Sequence, residues 1–169
     1  MYRSSKDEYY LGIAQAVSQR GTCLRRRYGA VLVNNDEIKA TGYVGSPRGA
    51  QNCIDRGFCP RQKAGIPAGE RYDECNGVHA EQNVIISAGR EKSLGGTLYL
   101  FGGNLEKDEP HFEFGVCRLC KRMVVNAGIK MVITGNLAKD MKRYHVEDWL
   151  RDGSLEIVIL DERGGDRND

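Results

Sequence analysis

The chain lacks an excess of charge of either sign. Its 169 residues carry 25 lysines and arginines against 23 acidic residues, a formal net charge of +2. No bulk positive field therefore draws it to nucleic acid, and it has no obvious series of aromatic residues on which unpaired bases could stack. These absences disfavour a nucleic-acid binder and an editor of tRNA or single-stranded DNA, while leaving a local basic groove open.

Long apolar runs are absent as well. No segment approaches the roughly 18 apolar residues of a membrane-spanning helix, and the opening MYRSSKDEYY lacks the apolar stretch of a signal peptide. The chain also lacks internal repeats and an interdomain linker. We therefore expect a cytoplasmic protein with one domain over residues 1–161, large enough for a core without disulfides. The charged residues 162–169 are predicted to form a flexible tail.

The periodicity of the apolar residues predicts an α/β layer architecture. Helices are predicted at 6–19, 79–90, 117–127 and 137–151. A strand hairpin is predicted at 28–44, and single strands at 96–101, 129–134 and 155–160. Two irregular segments remain, a cysteine-bearing loop at 45–76 and a second one at 102–116.

Two short motifs each open a predicted helix. His79 and Glu81 stand in H-A-E, and Cys117 and Cys120 form the one close C-x-x-C pair among six cysteines. In a reducing compartment cysteines are more often metal ligands, nucleophiles or buried thiols than disulfides. The two thiols emerge on one side of a helix N-terminus, where the helix dipole favours the metal-binding thiolate.

One histidine and two cysteines leave the fourth position of a tetrahedral zinc site open, as in catalytic zinc sites. A water in that position has a pKa near 7. Glu81 is better placed to carry protons to a substrate nitrogen than to act as a fourth ligand. Taken alone, the histidine is typical of a helix cap or core residue, and the cysteine pair of a redox couple. The combination favours the catalytic zinc site.

H-x-E followed by C-x-x-C is the pattern of zinc nucleobase deaminases. Together with RSSKDEYYLGIAQAVSQRGTCLRRRYGAVLVNNDEIKATGYVGSPRG and HAEQNVI, it makes the chain resemble the deoxycytidylate deaminases of bacteria and phages. The resemblance implies a three-layer α/β/α sandwich with a mixed five-stranded sheet, assembled as a homo-oligomer. It also implies conversion of dCMP to dUMP and ammonia, with dCTP and dTTP as possible effectors.

Carried over to this sequence, the resemblance assigns a catalytic Zn²⁺ to His79, Cys117 and Cys120. It assigns proton transfer to Glu81, first to N3 of the cytosine ring and later to the departing ammonia. Two alternatives stay open. The substrate could be another amino-substituted nucleoside, base or modified pyrimidine, or the chain could be an inactive, zinc-stabilised regulatory module.

Four further cysteines lie in or beside the irregular loop, at Cys23, Cys53, Cys59 and Cys75. Their spacing is not a zinc-finger signature, and buried thiols that pack as small hydrophobes are the alternative. A loop of this length inside a compact domain needs a cross-link to be ordered. The same positions resemble cysteines that bind a second zinc in bacterial deoxycytidylate deaminases, so we expect a second, structural Zn²⁺.

The resemblance also nominates substrate contacts. Asn83 completes H-A-E-x-N, Arg90 falls where the family carries an arginine near the pocket, and Arg48 is available to a phosphate. The Arg25–Arg27 run is a further phosphate candidate, with a solvated face as the alternative. Val44 stands where the family loop has an asparagine, and valine offers neither a donor nor an acceptor.

A second departure from the family is an insertion at 102–116, where Val116 replaces the proline before the cysteine pair. It is interpreted as a lid, a specificity loop or an oligomer contact. His111 lies within it and is read as an exposed loop residue, with a substrate or metal contact as the alternative.

Overall fold

A computed structural model of the chain describes residues 3–67, 70–104, 111–112, 115–135 and 140–155. The predicted tail at 162–169 and the predicted strand at 155–160, apart from Leu155, lie outside the described residues. No helix within the described part is both long and apolar enough to cross a bilayer.

The chain opens with helix α1, Lys6–Ser18, which begins at a capping box. The Ser5 hydroxyl accepts a hydrogen bond from the Glu8 backbone N–H, and the Glu8 carboxylate accepts one from the Ser5 backbone N–H. Both bonds satisfy backbone donors that a helix N-terminus leaves unpaired. The helix buries Tyr10, Leu11 and Ala14 against the sheet.

The sheet is mixed, as the resemblance predicts. Its strands are β1 Arg26–Asn34, β2 Glu37–Tyr43, β3 Thr97–Asn104, β4 His111–Phe112, β5 Met131–Gly135 and β6 Met141–His145. Five of them follow the order β2-β1-β3-β5-β6, and the two-residue β4 pairs with the end of β3. The β3–β5 pair is parallel, and the other pairs are antiparallel.

The β1–β2 hairpin turns at Asn35 and Asp36, which both have positive φ, 51° and 62°. Two consecutive left-handed residues define the type I′ turn that matches strand twist, and Asn and Asp tolerate this conformation. The predicted hairpin with an Asn/Asp turn is therefore present.

Alternation along the strands builds a layer on each face of the sheet. Val31, Tyr99 and Ile133 face α1, whereas the adjacent residues Leu32 and Leu98 face the opposite side. That side is covered by α4 Ala80–Ser93 and α5 Arg118–Asn126. The three layers confirm the predicted α/β/α sandwich.

The short helices complete the description. They are α2 Cys53–Arg56, α3 Pro60–Lys63, a 3₁₀ turn at Tyr72–Glu74, and α6 Asp148–Arg151. The predicted helix at 79–90 corresponds to α4, which is interrupted at Gly89, where φ is 72° and ψ is 165°.

The prediction of a helix at 137–151 is wrong. Met141–His145 forms strand β6, antiparallel to β5, and Asp148–Arg151 is the only helical part of that range among the described residues. Side chains in this strand alternate between the two faces: Met141 packs on the α1 side, and Tyr144 packs on the other. This period of two is masked in the sequence by the charged residues between them, which suit an edge strand.

Candidate active site

The first part of the site is the start of α4. His79 is its N-cap residue, and its backbone N–H donates to the Gln82 Oε1 at 2.8 Å. Just before it, Val78 and Gly45 exchange backbone hydrogen bonds of 2.7 and 3.2 Å. These bonds fix the chain on both sides of His79, so the imidazole projects from a rigid helix start.

The close approach of β2 to α4 holds that helix against the sheet. A Cβ built on Gly42 would lie 2.5 Å from the Val84 backbone nitrogen and 2.6 Å from the Ala80 carbonyl oxygen. Only glycine fits at such a contact. The start of α4 is therefore set by backbone packing.

The second part is the start of α5. Cys117 is its N-cap residue, and the Cys117 Sγ accepts a hydrogen bond from the Cys120 backbone N–H at 3.4 Å. The His79 Nδ1 lies 3.5 Å from the Cys117 Sγ and 3.4 Å from the Cys120 Sγ. Among the described residues this is the one group of potential ligands whose atoms all lie within 4.8 Å of one another.

Hydrogen bonds among the three groups shift their pKa values. A hydrogen bond from the Cys120 thiol is the largest cause that lowers the pKa of Cys117, and the same bond raises the pKa of Cys120. A hydrogen bond to Cys117 raises the pKa of His79. A thiolate beside a second thiol and an imidazole is a set of soft donors whose protons a zinc ion displaces when it binds.

Glu81 lies beside this group, in the first turn of α4, and only 5% of it is exposed. Burial is the largest cause that raises the pKa of its carboxyl. A buried carboxyl with a raised pKa next to candidate metal ligands suits a group that takes up and releases a proton near neutral pH.

A cavity of about 660 Å³ opens onto His79, Glu81 and Cys117. Its apolar lining includes Tyr28, Val44, Tyr72, Val116 and Leu119. Its basic lining consists of Arg25, Arg26, Arg61 and Arg118. Glu81 is the one acidic side chain among the described residues that line it. The cavity therefore combines apolar walls with positive charge.

The predicted substrate contacts are placed differently from one another. Val44, 6% exposed, lines the cavity. The Asn83 Nδ2 donates to the Tyr43 carbonyl oxygen at 2.7 Å and ties α4 to β2. The Arg90 Nε donates to the Asn126 carbonyl oxygen at 3.2 Å, at the C-terminus of α5. Arg48 is exposed, and neither it nor Asn83 nor Arg90 is part of the described lining.

The insertion at 102–116 is partly described. Its first residues prolong β3 to Asn104, and the backbone of His111 belongs to β4, whereas the His111 side chain lies outside the described part. Val116 is buried and lines the cavity directly before Cys117.

Of the four other cysteines, Cys23, Cys59 and Cys75 line the cavity, and Cys53 lies near them. Cys53 is buried, and burial, followed by the nearby Cys23, Cys59 and Cys75, raises the pKa of its thiol. The segment that precedes β1 is hydrogen-bonded to α2, because the Ile54 N–H donates to the Thr22 carbonyl oxygen at 3.3 Å. Within the described chain, no set of three of these cysteines has all of its sulfur atoms within 4.8 Å of one another.

Two arginines of the lining carry no prediction from the sequence. Arg61, 5% exposed, donates through its Nη2 to the Pro67 carbonyl oxygen at 2.9 Å and to that of Glu70, and its guanidinium lies 4.5 Å from the Tyr72 ring centroid. Nothing in an irregular segment marks such an arginine as buried. Arg118 carries a usable signal, because a basic residue at the first position of a helix opposes the dipole.

The chain has candidate metal ligands at two helix starts, a buried carboxyl beside them and an α/β/α fold. This combination is typical of the hydrolytic zinc deaminases. The sequence-family model of the cytidine and deoxycytidylate deaminase zinc-binding region matches residues 4–136 of this chain. The chain belongs to this family, which confirms the resemblance seen in its motifs.

Individual relatives agree with this assignment. The chain is 37% identical over 138 residues to the deoxycytidylate deaminase of Mycobacterium phage D29, covering 79% of this chain and 96% of the relative. It is 36% identical over 132 residues to the deoxycytidylate deaminase of Schizosaccharomyces pombe, covering 78% of this chain but only 37% of that longer protein.

Solved structures agree on the fold. The dCMP deaminase of cyanophage S-TIM5 in apo form superimposes with a TM-score of 0.54 at 26% identity, covering 80% of this chain and 86% of that one. The same enzyme in complex with dCMP and dUMP gives a TM-score of 0.53 at 26% identity, covering 79% and 83%. Both comparisons confirm the predicted fold class.

Proposed function

We propose that this chain hydrolyses the amino group of a cytosine nucleotide, converting dCMP to dUMP and ammonia. The observation that carries the proposal is the buried Glu81 beside the His79, Cys117 and Cys120 group, at a cavity with apolar walls and basic residues. The relatives named deoxycytidylate deaminase, one of them matched over nearly its whole length, support the choice of substrate.

His79, Cys117 and Cys120 would hold the zinc ion. The fit is good, because one imidazole nitrogen and two sulfur atoms within 4.8 Å of one another are a donor set typical of zinc. Three protein ligands leave one position for water. When bound, the zinc supplies a water that loses its proton near neutral pH.

Glu81 moves the protons of the reaction. It accepts a proton from the attacking water and delivers it to N3 of the ring, as the C4–O bond forms. It then takes the remaining proton of the oxygen added at C4 and delivers it to the exocyclic nitrogen, so that the C4 carbonyl forms, the C4–N bond breaks and ammonia leaves. Burial strengthens the hold of Glu81 on its proton between these transfers, which is what a proton carrier near neutral pH requires.

The predicted substrate contacts divide into two roles under this proposal. Val44 would touch the substrate from the apolar wall. Asn83 and Arg90 would act by holding α4, since their donors already bind backbone carbonyl oxygens at 2.7 and 3.2 Å. Arg48 stays a prediction for a phosphate contact.

The test is ammonia release from dCMP, CMP, dCTP, deoxycytidine and cytosine by the purified zinc-loaded protein. We expect dCMP to be the preferred substrate. Turnover of a compound without phosphate, together with no turnover of dCMP, would contradict the nucleotide assignment. It would favour the second candidate, a deaminase of another amino-heterocycle, for which the apolar Val44 in the lining is the supporting observation. No turnover of any of them would favour the inactive regulatory module.

We also propose the second, structural zinc at Cys23, Cys53, Cys59 and Cys75. The support is that Cys23, Cys59 and Cys75 lie near enough to the buried Cys53 to raise the pKa of its thiol, and that the irregular segment needs a cross-link. The test is the zinc content per chain, with two ions expected in the parent and one in a Cys53→Ser variant. One ion in the parent would remove the basis for this site.

The cytoplasmic location, the homo-oligomeric assembly and regulation by dCTP and dTTP stay predictions of the resemblance. Light scattering on the eluted protein measures the assembly, and dCMP kinetics with and without each triphosphate measure the regulation. A monomer, or kinetics indifferent to both triphosphates, would contradict the respective prediction.

A further inference from the structure

Arg118 occupies an unusual position in the site. It is the first residue of α5, lies between the two candidate ligands Cys117 and Cys120, and lines the cavity. Its side chain is exposed and has no hydrogen bond or ion pair with any residue in the described part of the chain. Its guanidinium therefore has no partner among the described residues, and the residue lines the same cavity as His79, Glu81 and Cys117.

The local electrostatics make that placement unfavourable without a partner. The N-terminus of a helix carries a partial positive charge, so cations are disfavoured there. The first turn of α5 contains no acidic residue to compensate. An anion bound at this point would offset the positive charges of the guanidinium and of the helix N-terminus.

The rest of the lining points to the same kind of ligand. Arg25, Arg26 and Arg61 line the same cavity, and among the described lining residues only Glu81 is acidic. Arg61 is 5% exposed, and its Nε has no hydrogen-bond partner in the described chain, so the wall holds a second incompletely satisfied cation. The apolar walls suit a heterocycle, and the cations suit a phosphate attached to it.

We infer that Arg118 binds the phosphate of the nucleotide substrate and selects nucleotides over nucleosides. This inference rests on the proposed deaminase function and names the residue that determines its specificity. It adds a residue to the phosphate contacts predicted from the sequence, of which Arg25 and Arg26 line the cavity, whereas Arg48 and Arg90 are absent from the described lining. Guanidinium and phosphate form paired, charge-assisted hydrogen bonds, which lysine reproduces only as a point charge.

The experiment compares Arg118→Gln with the parent on dCMP and on deoxycytidine. Losing one charge-assisted contact predicts a kcat/KM for dCMP about ten- to a hundredfold lower, mostly through KM. The kcat/KM for deoxycytidine is expected to change by less than about threefold, because no phosphate is present to lose a contact. Arg118→Lys should recover part of the loss.

Arg122→Gln is the matched control. Arg122 lies one turn further along α5, is exposed, and is not part of the described lining. Removing its charge should leave both substrates unaffected. Zinc content is measured in every variant, so that an effect on the cysteine ligands is separated from an effect on the phosphate.

Three results would overturn the inference. They are equal losses on both substrates, a loss of zinc in Arg118→Gln, and no change on dCMP.

The binding of dUMP and of deoxyuridine separates failure of this inference from failure of the proposed function. If the parent deaminates nothing but Arg118→Gln still weakens dUMP binding alone, the phosphate contact stands and the deaminase proposal falls. If the parent deaminates both substrates equally well, the deaminase proposal stands and the role of Arg118 falls.

Discussion

Replacing Glu81 by glutamine tests whether this residue moves protons while His79, Cys117 and Cys120 hold the metal. The side chain is 5% exposed, and glutamine has nearly the same shape, so the substitution leaves no cavity. It removes the carboxyl group that we propose moves protons. General acid–base catalysis contributes about 10²- to 10⁴-fold, or about 3 to 5 kcal/mol of barrier, and we expect Glu81→Gln to lower kcat for dCMP by at least that much.

The assay is ammonia release with zinc content measured on the same samples. Zinc per chain should equal that of the parent, because Glu81 lies outside the group of three close ligand atoms. Glu91→Gln is the control, since Glu91 is exposed on the same helix. Retained turnover, or a loss of zinc in Glu81→Gln, would refute the role given to this residue.

The same substitution predicts a change in the pH dependence of stability. Burial raises the pKa of Glu81 above its ordinary value of 4.5, so between these two values the folded chain binds more protons than the unfolded chain. The stability of the metal-free protein should therefore fall as pH rises through this interval, by about 1.4 kcal/mol for each tenfold change in proton affinity. Glu81→Gln should lack this contribution and melt above the parent at pH 7 to 8. If the difference in melting temperature between Glu81→Gln and the parent is the same at pH 4 and at pH 8, this prediction is refuted.

Three further substitutions probe the scaffold. Gly42→Ala places a methyl group 2.5 Å from the Val84 backbone nitrogen, so it should cost about 1 to 3 kcal/mol in urea unfolding and lower turnover by shifting α4. Tyr99→Phe removes a 2.9 Å hydrogen bond to the Asp7 carboxylate and should cost about 1.5 to 3 kcal/mol in urea unfolding, with turnover unchanged. Arg61→Met leaves two carbonyl oxygens without their donor, and limited proteolysis should cut the segment 60–75 faster than in the parent. Wild-type stability in either of the first two, or an unchanged cleavage rate in the third, would contradict the contact concerned.

The group of His79, Cys117 and Cys120 could be predicted from the sequence because its residues sit at helix starts. A helix N-terminus fixes the direction of the first side chains, so H-A-E and C-x-x-C each specify a local geometry. Only their meeting is tertiary, and the parallel pairing of β3 with β5 is part of the framework that brings the two helix starts together. The His79 Nδ1 lies 3.4 and 3.5 Å from the two sulfur atoms as a result.

The place of Arg61 in the cavity lining could not be predicted in the same way. Arg61 is buried only because an irregular segment folds over it, and no period in the sequence describes that segment. Arg90 sits at the end of a helix like many solvated arginines, and its bond to the Asn126 carbonyl oxygen depends on the packing of α4 against α5. The prediction of a helix over strand β6 is wrong because β6, the last strand of the described sheet, carries charged residues where a central strand needs apolar ones.

The most direct test of the account is the conversion of dCMP by the zinc-loaded protein, before and after removal of the metal. The account predicts dUMP and ammonia in equal amounts, loss of turnover when a chelator removes the zinc, and recovery when zinc is returned. Turnover that persists without metal, or zinc-loaded protein that leaves dCMP unchanged, would contradict it.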